Sequence, residues 1–202
     1  MKTLLALALV AAPLAAQQTP RSTDWRTRFD RAGAPDSALR IEQQATGWRF
    51  TTASNGSGIA WLPSMNAQGN FRVEAETMLY PGRGHREAYG LLLGGRGLEA
   101  PNQSYFYFLV RGDGQYMIRH RAGTETHDIV TWTPNAAIPR IDSSNVRILL
   151  GVDARSDSVA FLVNGTQVHA LPRSQTDVNG IVGLRINHGL RVQVNSLNVA
   201  RR

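Results

Sequence analysis

Short segments of alternating apolar and polar residues, separated by turn residues, dominate this 202-residue chain. A period of two places alternate side chains on opposite faces of a β-strand. The segments recur about every 8 to 12 residues, a spacing typical of sandwiches and barrels. Predicted strands cover residues 47–52, 58–62, 70–80, 88–94, 104–111, 115–121, 127–131, 145–153, 158–163, 167–171, 180–186 and 191–200. So many antiparallel strands exceed one flat sheet, which predicts an all-β, two-sheet antiparallel jelly-roll sandwich.

The two inner faces of this sandwich should be filled by one phase of the alternating residues. The candidates, or their alternates along the strands, are Leu91, Leu93, Val146, Ile148, Leu150, Val182, Leu184 and Ile186. Helical signals are weak, because only 27–31 and 36–44 could form a turn or two of helix, and the second segment is equally readable as a strand.

Two dipeptides that tolerate positive φ predict type I′ hairpins: Asn164-Gly165 and Asp113-Gly114. With Asp113 and Gly114 as the central turn residues, Tyr107 lies opposite His120, and Phe108 lies opposite Arg119. One face of this hairpin then carries Tyr107, Arg111, Tyr116 and His120, and the other carries Phe106, Phe108, Arg119 and Arg121. A shift of one residue would exchange these faces.

The N-terminus has the three parts of a secretory signal peptide, predicted over residues 1–16. Lys2 precedes an apolar run that ends in small residues, with cleavage expected after Ala16 or close to it; a buried N-terminal helix is the alternative. The run is too short to span a membrane, and no later segment is longer. Residues 17–23 are interpreted as a linker and 24–202 as one domain, secreted or periplasmic.

Composition limits the chemistry that the chain can perform. It has no cysteine, which excludes disulfides and thiolate metal sites. Without Lys2, 21 arginines oppose 15 acidic residues, but they are spread along the chain without a nucleic-acid module, so we expect no nucleic-acid partner and keep an acidic saccharide as a candidate.

The sequence predicts no cofactor. The five histidines lack metal-ligand spacing, and no phosphate loop, dinucleotide fingerprint or serine nucleophile motif is present. Calcium stays open as a weaker alternative, although hairpin turns also explain its candidate ligands. These are Asn102, Asp128, Asp153, Asp157 and Asn164.

Several segments together resemble the concanavalin A-like lectin/glucanase superfamily, especially bacterial exported laminin G-like and 3-keto-disaccharide hydrolase (family 16 glycosidase-like) domains. In order they are residues 89–93, 105–110, 113–116, 130–133, 146–152, 164–165 and 180–184. The resemblance covers about residues 36–199 and implies a curved sheet whose concave face holds a saccharide.

Glu74 and Glu76 share one face of a predicted strand. By resemblance to family 16 glucanases, Glu74 would be the nucleophile and Glu76 the assisting carboxylate. The proton donor's position falls at or next to Met78, which is not acidic, so an enzyme would need another acid, such as Glu87, Glu99 or Asp128, near Glu76. A solvated ladder of Arg and Glu explains the same pattern.

Aromatic and basic side chains around the Asp113-Gly114 hairpin are the candidate ligand contacts, since rings stack on sugars and Arg or His donates to their oxygens. They are Tyr107, Tyr116, Arg119, His120, Arg121 and Trp132. Core packing of the rings is the alternative.

Three functions remain open: an exported carbohydrate-binding domain, a glycoside hydrolase or lyase, and a module that binds protein. The sequence favours the first.

Overall fold

The computed structural model describes residues 21–80, 87–141 and 144–202, so the predicted signal peptide lies outside the described residues. Within these ranges, fourteen antiparallel strands, numbered in chain order, form two seven-stranded sheets. Sheet I consists, in spatial order, of β1 (Arg26–Phe29), β4 (Gly58–Ala67), β13 (Gly180–Ile186), β6 (Ala88–Arg96), β7 (Ser104–Arg111), β8 (Gln115–Ala122) and β9 (Glu125–Pro134). Sheet II consists of β12 (Thr166–Pro172), β11 (Ser158–Val163), β10 (Val146–Ala154), β5 (Phe71–Leu79), β14 (Arg191–Arg201), β3 (Trp48–Thr52) and β2 (Leu39–Gln43). The predicted jelly-roll sandwich is confirmed.

Outside the strands, the described residues form three short 3₁₀ turns, at Ser22–Asp24, Asp36–Ala38 and Arg173–Gln175. Within the described ranges there is no helix with the length and apolarity needed to span a membrane.

One phase of the alternating residues in each sheet packs between the sheets. In β5, Phe71, Val73 and Ala75 are fully buried, whereas Arg72 and Glu74 face outwards. The predicted core is confirmed: Leu91, Leu93, Ile148, Leu150, Val182, Leu184 and Ile186 are buried in it, and Val146 packs against it.

The predicted hairpin at Asn164 is confirmed. Val163 pairs with Thr166, and the two turn residues have the positive φ that a type I′ turn needs, 51° at Asn164 and 80° at Gly165. The Asn164 side chain also accepts a hydrogen bond from the Leu149 backbone N–H at 2.9 Å, which ties the turn to β10.

The prediction of a helical turn over residues 27–31 was wrong. This segment overlaps β1, whose Thr27 pairs with Ala60 of β4. For residues 36–44 the strand alternative is correct, because a 3₁₀ turn at Asp36–Ala38 leads into β2. Pairing with a neighbouring strand decides both segments, and their local propensity is too weak to oppose it.

The predicted register of the β7–β8 hairpin was wrong by one residue. The loop has three residues, with Gly114 at φ 85° and its N–H donating to the Arg111 carbonyl oxygen at 3.1 Å. Tyr107 therefore pairs with Arg119, and Phe108 pairs with Ile118.

This shift corrects the two faces of the hairpin. Arg119 and Arg121 lie on the same face as Tyr107, while Tyr116 and His120 lie on the opposite face with Phe108.

Candidate functional site

The face of sheet I that points away from sheet II carries a second apolar cluster. Along β7, Phe106 and Phe108 point into the core between the sheets, and Tyr105, Tyr107 and Leu109 point outwards. The outward residues are nonetheless buried, in contact with side chains of neighbouring strands that include Trp61, Leu92 and Met117. Outward faces of sandwiches are ordinarily polar and solvated. We call this surface the outer face of sheet I.

An ion pair from two distant segments lies over this cluster. Arg185 of β13 donates to both carboxylate oxygens of Asp30 at 2.9 and 2.5 Å, and its guanidinium lies 5.2 Å from the ring centre of Tyr107. Burial on its own raises the pKa of Asp30, but the hydrogen bonds and charge of Arg185 outweigh it and lower the pKa to about 2. Burial lowers the pKa of Arg185, and Asp30 more than reverses this effect. Both groups are therefore charged.

A second pair stands on the same face, between β8 and β9. Arg119 donates through Nε and Nη2 to the two carboxylate oxygens of Asp128. These hydrogen bonds raise the pKa of Arg119 despite its partial burial. Arg119 is also hydrogen-bonded to the Tyr107 side chain, which raises its pKa further.

A third pair belongs to the β7–β8 loop. Arg111 bonds to both carboxylate oxygens of Asp113, at 2.9 Å through Nε and 2.8 Å through Nη2. Its guanidinium also lies over the indole ring of Trp132 in β9, 4.2 Å from the ring centre. The pair holds Trp132 in place and covers one face of the ring, so a ligand ring can stack only on the other.

These side chains enclose a cavity of about 270 Å³, which we call the Trp132 cavity. Tyr107, Leu109 and Met117 contribute apolar surface to it, the three arginines described above contribute donors, and Glu87 and Asn187 complete the lining. The volume is near the lower end of small-molecule sites, which measure about 300–1,000 Å³.

Two acceptors in the Trp132 cavity have no arginine partner among the residues that the structure describes. The side-chain oxygen Oδ1 of Asn187 is buried and has no hydrogen-bond partner among the described residues. Glu87 has His188 Nε2 at 3.5 Å as its ion-pair contact. A buried acceptor without a partner costs free energy, and a hydroxyl group of a ligand would remove that cost.

A larger cavity of about 530 Å³ adjoins it on the side of β1, and we call it the Arg121 cavity. Its lining consists of residues 27–34, three residues of the β6–β7 loop (Glu99, Pro101 and Gln103), and Arg121, Gly123 and Thr124. The Asp30–Arg185 pair links the two cavities, because Asp30 lines the larger one and Arg185 the smaller.

The structure separates the six predicted ligand-contact residues into three groups. Tyr107, Arg119 and Trp132 line the Trp132 cavity, and Arg121 lines the Arg121 cavity. Tyr107 is only 3% exposed, with Arg185 over its ring, so it cannot serve as an open stacking platform.

The third group, Tyr116 and His120, lies on the opposite face of β8. Tyr116 is buried between the sheets, where its hydroxyl donates to the Val168 carbonyl oxygen at 3.0 Å. His120 packs against the ring of Phe106, with ring centres 4.5 Å apart, and its Nε2 lies 3.1 Å from the Ser104 hydroxyl. Neither residue lines the two cavities.

Glu74 and Glu76 lie on the other side of the molecule, on the outward face of sheet II. Glu74 is bound by Arg72 at 2.8 Å, and Glu76 is 3.1 Å from both Arg147 Nη1 and Asn195 Nδ2.

The enzyme alternative needs a third acid near Glu76, and none of its three candidates lies there. Glu87 lines the Trp132 cavity, Asp128 pairs with Arg119, and Glu99 lines the Arg121 cavity. All three are on the side of sheet I, and both sheets separate them from Glu76.

In the part of the chain that the structure describes, no group of three or more His, Cys, Asp or Glu residues is placed to hold a metal ion. Of the calcium candidates, Asp128 pairs with Arg119, and Asp153 contacts Arg72, Arg155 and Arg202.

Sequence reasoning did not identify Asp30, Arg185 or Asn187 as site residues. Asp30 and Arg185 are 155 positions apart, so no local pattern joins them. One signal was available, because Arg185 is the single charged residue within the apolar run of β13.

Comparison with known proteins places the fold but not a family. No family model and no curated protein matches the chain. Among solved structures it is similar to the carbohydrate-binding module CBM66 from Bacillus subtilis, with a TM-score of 0.62 and 12% identity over 88% of this chain and 95% of that one. A Bacillus subtilis protein of unknown function with a galectin-like fold has a TM-score of 0.65 and 11% identity, over 90% of this chain and 92% of that one. The family 7 alginate lyase A1-II′ has a TM-score of 0.58 and 9% identity, over 89% of this chain and 96% of that one. These similarities agree with the two-sheet jelly-roll sandwich expected from the sequence.

Proposed function

We propose that this protein is an exported carbohydrate-binding domain that holds a sugar ring in the Trp132 cavity. The observation that carries the proposal is the combination, in one cavity on the outer face of sheet I, of an indole ring, three fixed guanidinium groups and the buried, unpartnered Oδ1 of Asn187. The similarity in fold to a carbohydrate-binding module supports it by analogy.

The polar groups of the cavity match the chemistry of sugar hydroxyls. A hydroxyl both donates and accepts, and the cavity presents both kinds of partner. Among the described residues, Nη1 of Arg111 and Nε of Arg185 bind no acceptor, because the other nitrogens of these arginines contact aspartates. Acceptors are the Oδ1 of Asn187 and the carboxylate of Glu87.

The aspartates also fix the arginines before a ligand arrives. A free arginine side chain has many rotamers, and ordering it on binding costs about 0.5–1.5 kcal/mol. Here, two nitrogens of each guanidinium contact the two oxygens of one carboxylate, so this cost is met in folding. The part of the Trp132 ring that Arg111 does not cover offers apolar contact for the C–H groups of a sugar ring, while Leu109 and Met117 are buried beneath it.

The test is binding of the purified protein to a glycan array, followed by affinity measurement for each ligand found. Trp132→Ala and Glu87→Gln should each weaken binding at least about tenfold, the loss expected for one ring contact or one charge-assisted hydrogen bond. Glu76→Gln, on the outward face of sheet II, is the matched control and should bind as the unaltered protein does.

Two outcomes would point elsewhere. Loss of binding in Glu76→Gln with normal binding in the cavity variants would transfer the site to sheet II. A protein that binds no glycan would contradict the proposal and leave the protein-interaction hypothesis. Incubating each bound glycan with the protein and analysing it for cleavage tests the hydrolase alternative, which predicts turnover that Glu74→Gln or Glu76→Gln abolishes.

A further inference from the structure

We infer that the Arg121 cavity is a second subsite of the same ligand, which recognises an anionic group, a carboxylate or a sulfate ester, on a neighbouring sugar unit. The inference rests on the proposed function, since it assigns a chemical class to the ligand of the same face. It depends on how charges are paired in the two cavities.

The Trp132 cavity has no surplus of positive charge. Each of its three arginines binds an aspartate, and Glu87 adds one further carboxylate. An anionic group placed there would have to compete with aspartates for the same guanidinium groups. A neutral, hydroxyl-rich ring meets no such competition.

The Arg121 cavity has a surplus of positive charge. Arg28, Arg31 and Arg121 line it, and none of them makes an ion pair with a described carboxylate. The two acids that line it, Asp30 and Glu99, are already engaged by Arg185 and Arg26.

Two of these arginines are also fixed by neutral acceptors. Arg28 donates through Nη1 to the carbonyl oxygens of Leu98 and Ala100, at 2.9 and 2.5 Å. Arg121 donates through Nε to the Gly123 carbonyl oxygen at 2.8 Å, and its two terminal nitrogens bind no acceptor among the described residues. Carbonyl groups orient a guanidinium without neutralising it, so the positive charge stays available to an anion.

Arg121 also contributes to the electrostatics of the link between the cavities. Its positive charge helps to lower the pKa of Asp30, after the larger effects of burial and of Arg185. Arg121 therefore lies near the Asp30–Arg185 pair but forms no ion pair with Asp30.

Position along β8 joins the two cavities into one binding surface. Arg119 and Arg121 lie two residues apart on the same face of this strand, which separates their positions by about 7 Å. Tyr105 and Tyr107 are neighbours on the same face of β7, with ring centres 5.7 Å apart and ring planes inclined by 47°. A ligand longer than one ring, seated in the Trp132 cavity, can therefore extend along the strands towards the unpaired arginines.

The experiment uses an array of matched pairs of oligosaccharides, each pair sharing one backbone and differing only in charge. One set compares uronic acid oligosaccharides with their methyl esters, and a second compares sulfated with unsulfated neutral oligosaccharides. The protein is applied at 50 mM and at 300 mM NaCl. The ratio of acidic to neutral binding within each pair is the quantity measured.

The inference predicts that the acidic member of bound pairs is preferred about tenfold at low salt, with a smaller ratio at high salt. Arg121→Gln and Arg31→Gln should reduce this ratio, because each weakens binding of the acidic member more than that of the neutral member. Arg31 is exposed, so its replacement does not threaten folding. Arg201→Gln, an exposed arginine at the end of β14, removes the same charge elsewhere and should preserve the ratio.

Each outcome has a distinct meaning. Preference in the uronate set identifies a carboxylate, and preference in the sulfate set identifies a sulfate ester. Equal binding of charged and neutral members overturns the anionic subsite while the proposed function survives. A fall in the ratio with Arg201→Gln equal to that with Arg121→Gln shows an effect of net charge alone and also overturns it. Absence of binding to every sugar refutes both proposals together.

Discussion

Replacing Asp30 by asparagine should destabilise the protein, because it removes the counter-charge of a guanidinium that is only 11% exposed. Asparagine has the shape of a protonated carboxyl group, so the variant reports what ionisation of Asp30 contributes. In the folded protein, Arg185 lowers the pKa of Asp30 from its ordinary value of 3.8 to about 2. At about 1.4 kcal/mol for each pH unit, this difference contributes about 2 kcal/mol to the free energy of unfolding at neutral pH.

The same numbers give the direction of the pH dependence. Because the pKa is lower in the folded protein than in the unfolded chain, the contribution is complete above pH 3.8 and is lost as the pH falls through about 2. The two proteins should therefore differ by about 2 kcal/mol at pH 7 and pH 5, and by much less at pH 2.5.

Urea unfolding followed by tryptophan fluorescence measures these differences. Glu99→Gln is the control, since Glu99 and Arg26 form an exposed pair at 3.4 Å whose loss should cost no more than about 0.5 kcal/mol. The double variant Asp30→Asn, Arg185→Met should recover part of the lost stability, because it removes the unpaired charge. A difference below about 0.5 kcal/mol for Asp30→Asn at pH 7, or one that persists unchanged at pH 2.5, would refute the reasoning.

Three further predictions concern the fold around the site. Tyr116→Phe removes the hydroxyl that donates to Val168, and calorimetry should show a loss of about 1 kcal/mol in stability with unchanged sugar affinity; weakened binding would contradict its placement in the core. At the β11–β12 turn, where Asn164 has φ 51°, urea unfolding should show Asn164→Ala to be about 1 kcal/mol less stable than Asn164→Gly, because alanine is strained at positive φ. Equal stabilities of the two variants would exclude this backbone strain. Burial, with smaller contributions from His127 and Arg96, lowers the pKa of His120. An NMR titration of His120 should therefore give a midpoint below 6.5, and protonation of its ring should reduce the stability of the protein as the pH falls below 6.5. A midpoint above 6.5 would be inconsistent with the described packing.

The sandwich could be predicted from sequence because its determinants are local. Alternation in β5 alone separates Phe71 and Val73 from Arg72 and Glu74, and the Asn164-Gly165 pair specifies its own hairpin. Each of these signals lies within about ten residues, the range over which strand periodicity and turn type act.

The β7–β8 register could not be fixed in this way. Residues 112–114 include two glycines, and they permit both a two-residue turn and a three-residue loop. The choice depends on tertiary packing, since the observed register places Phe108 and Tyr116 in the core and Arg119 beside Asp128. One residue of shift moved Tyr116 and His120 away from the predicted site and brought Arg119 and Arg121 to it.

The candidate site itself is mostly non-local. Trp132, Tyr107 and Arg119 could be selected for their side-chain chemistry, but the pairing of Asp30 with Arg185 depends on how β1 and β13 flank β4 in sheet I. The buried oxygen of Asn187 is likewise a consequence of the assembled sheet. These features follow from topology, which the sequence pattern leaves open.

The most direct test of sugar binding on the outer face of sheet I is a ¹H–¹⁵N NMR titration of the purified protein with a glycan found on the array. The indole N–H of Trp132 and the side-chain amide of Asn187 each give an assignable signal inside the Trp132 cavity. Binding there predicts that both signals shift with one affinity, while the backbone signals of Glu74 and Glu76 on sheet II stay unchanged. Shifts confined to sheet II, with the Trp132 and Asn187 signals unmoved, would contradict the proposed site.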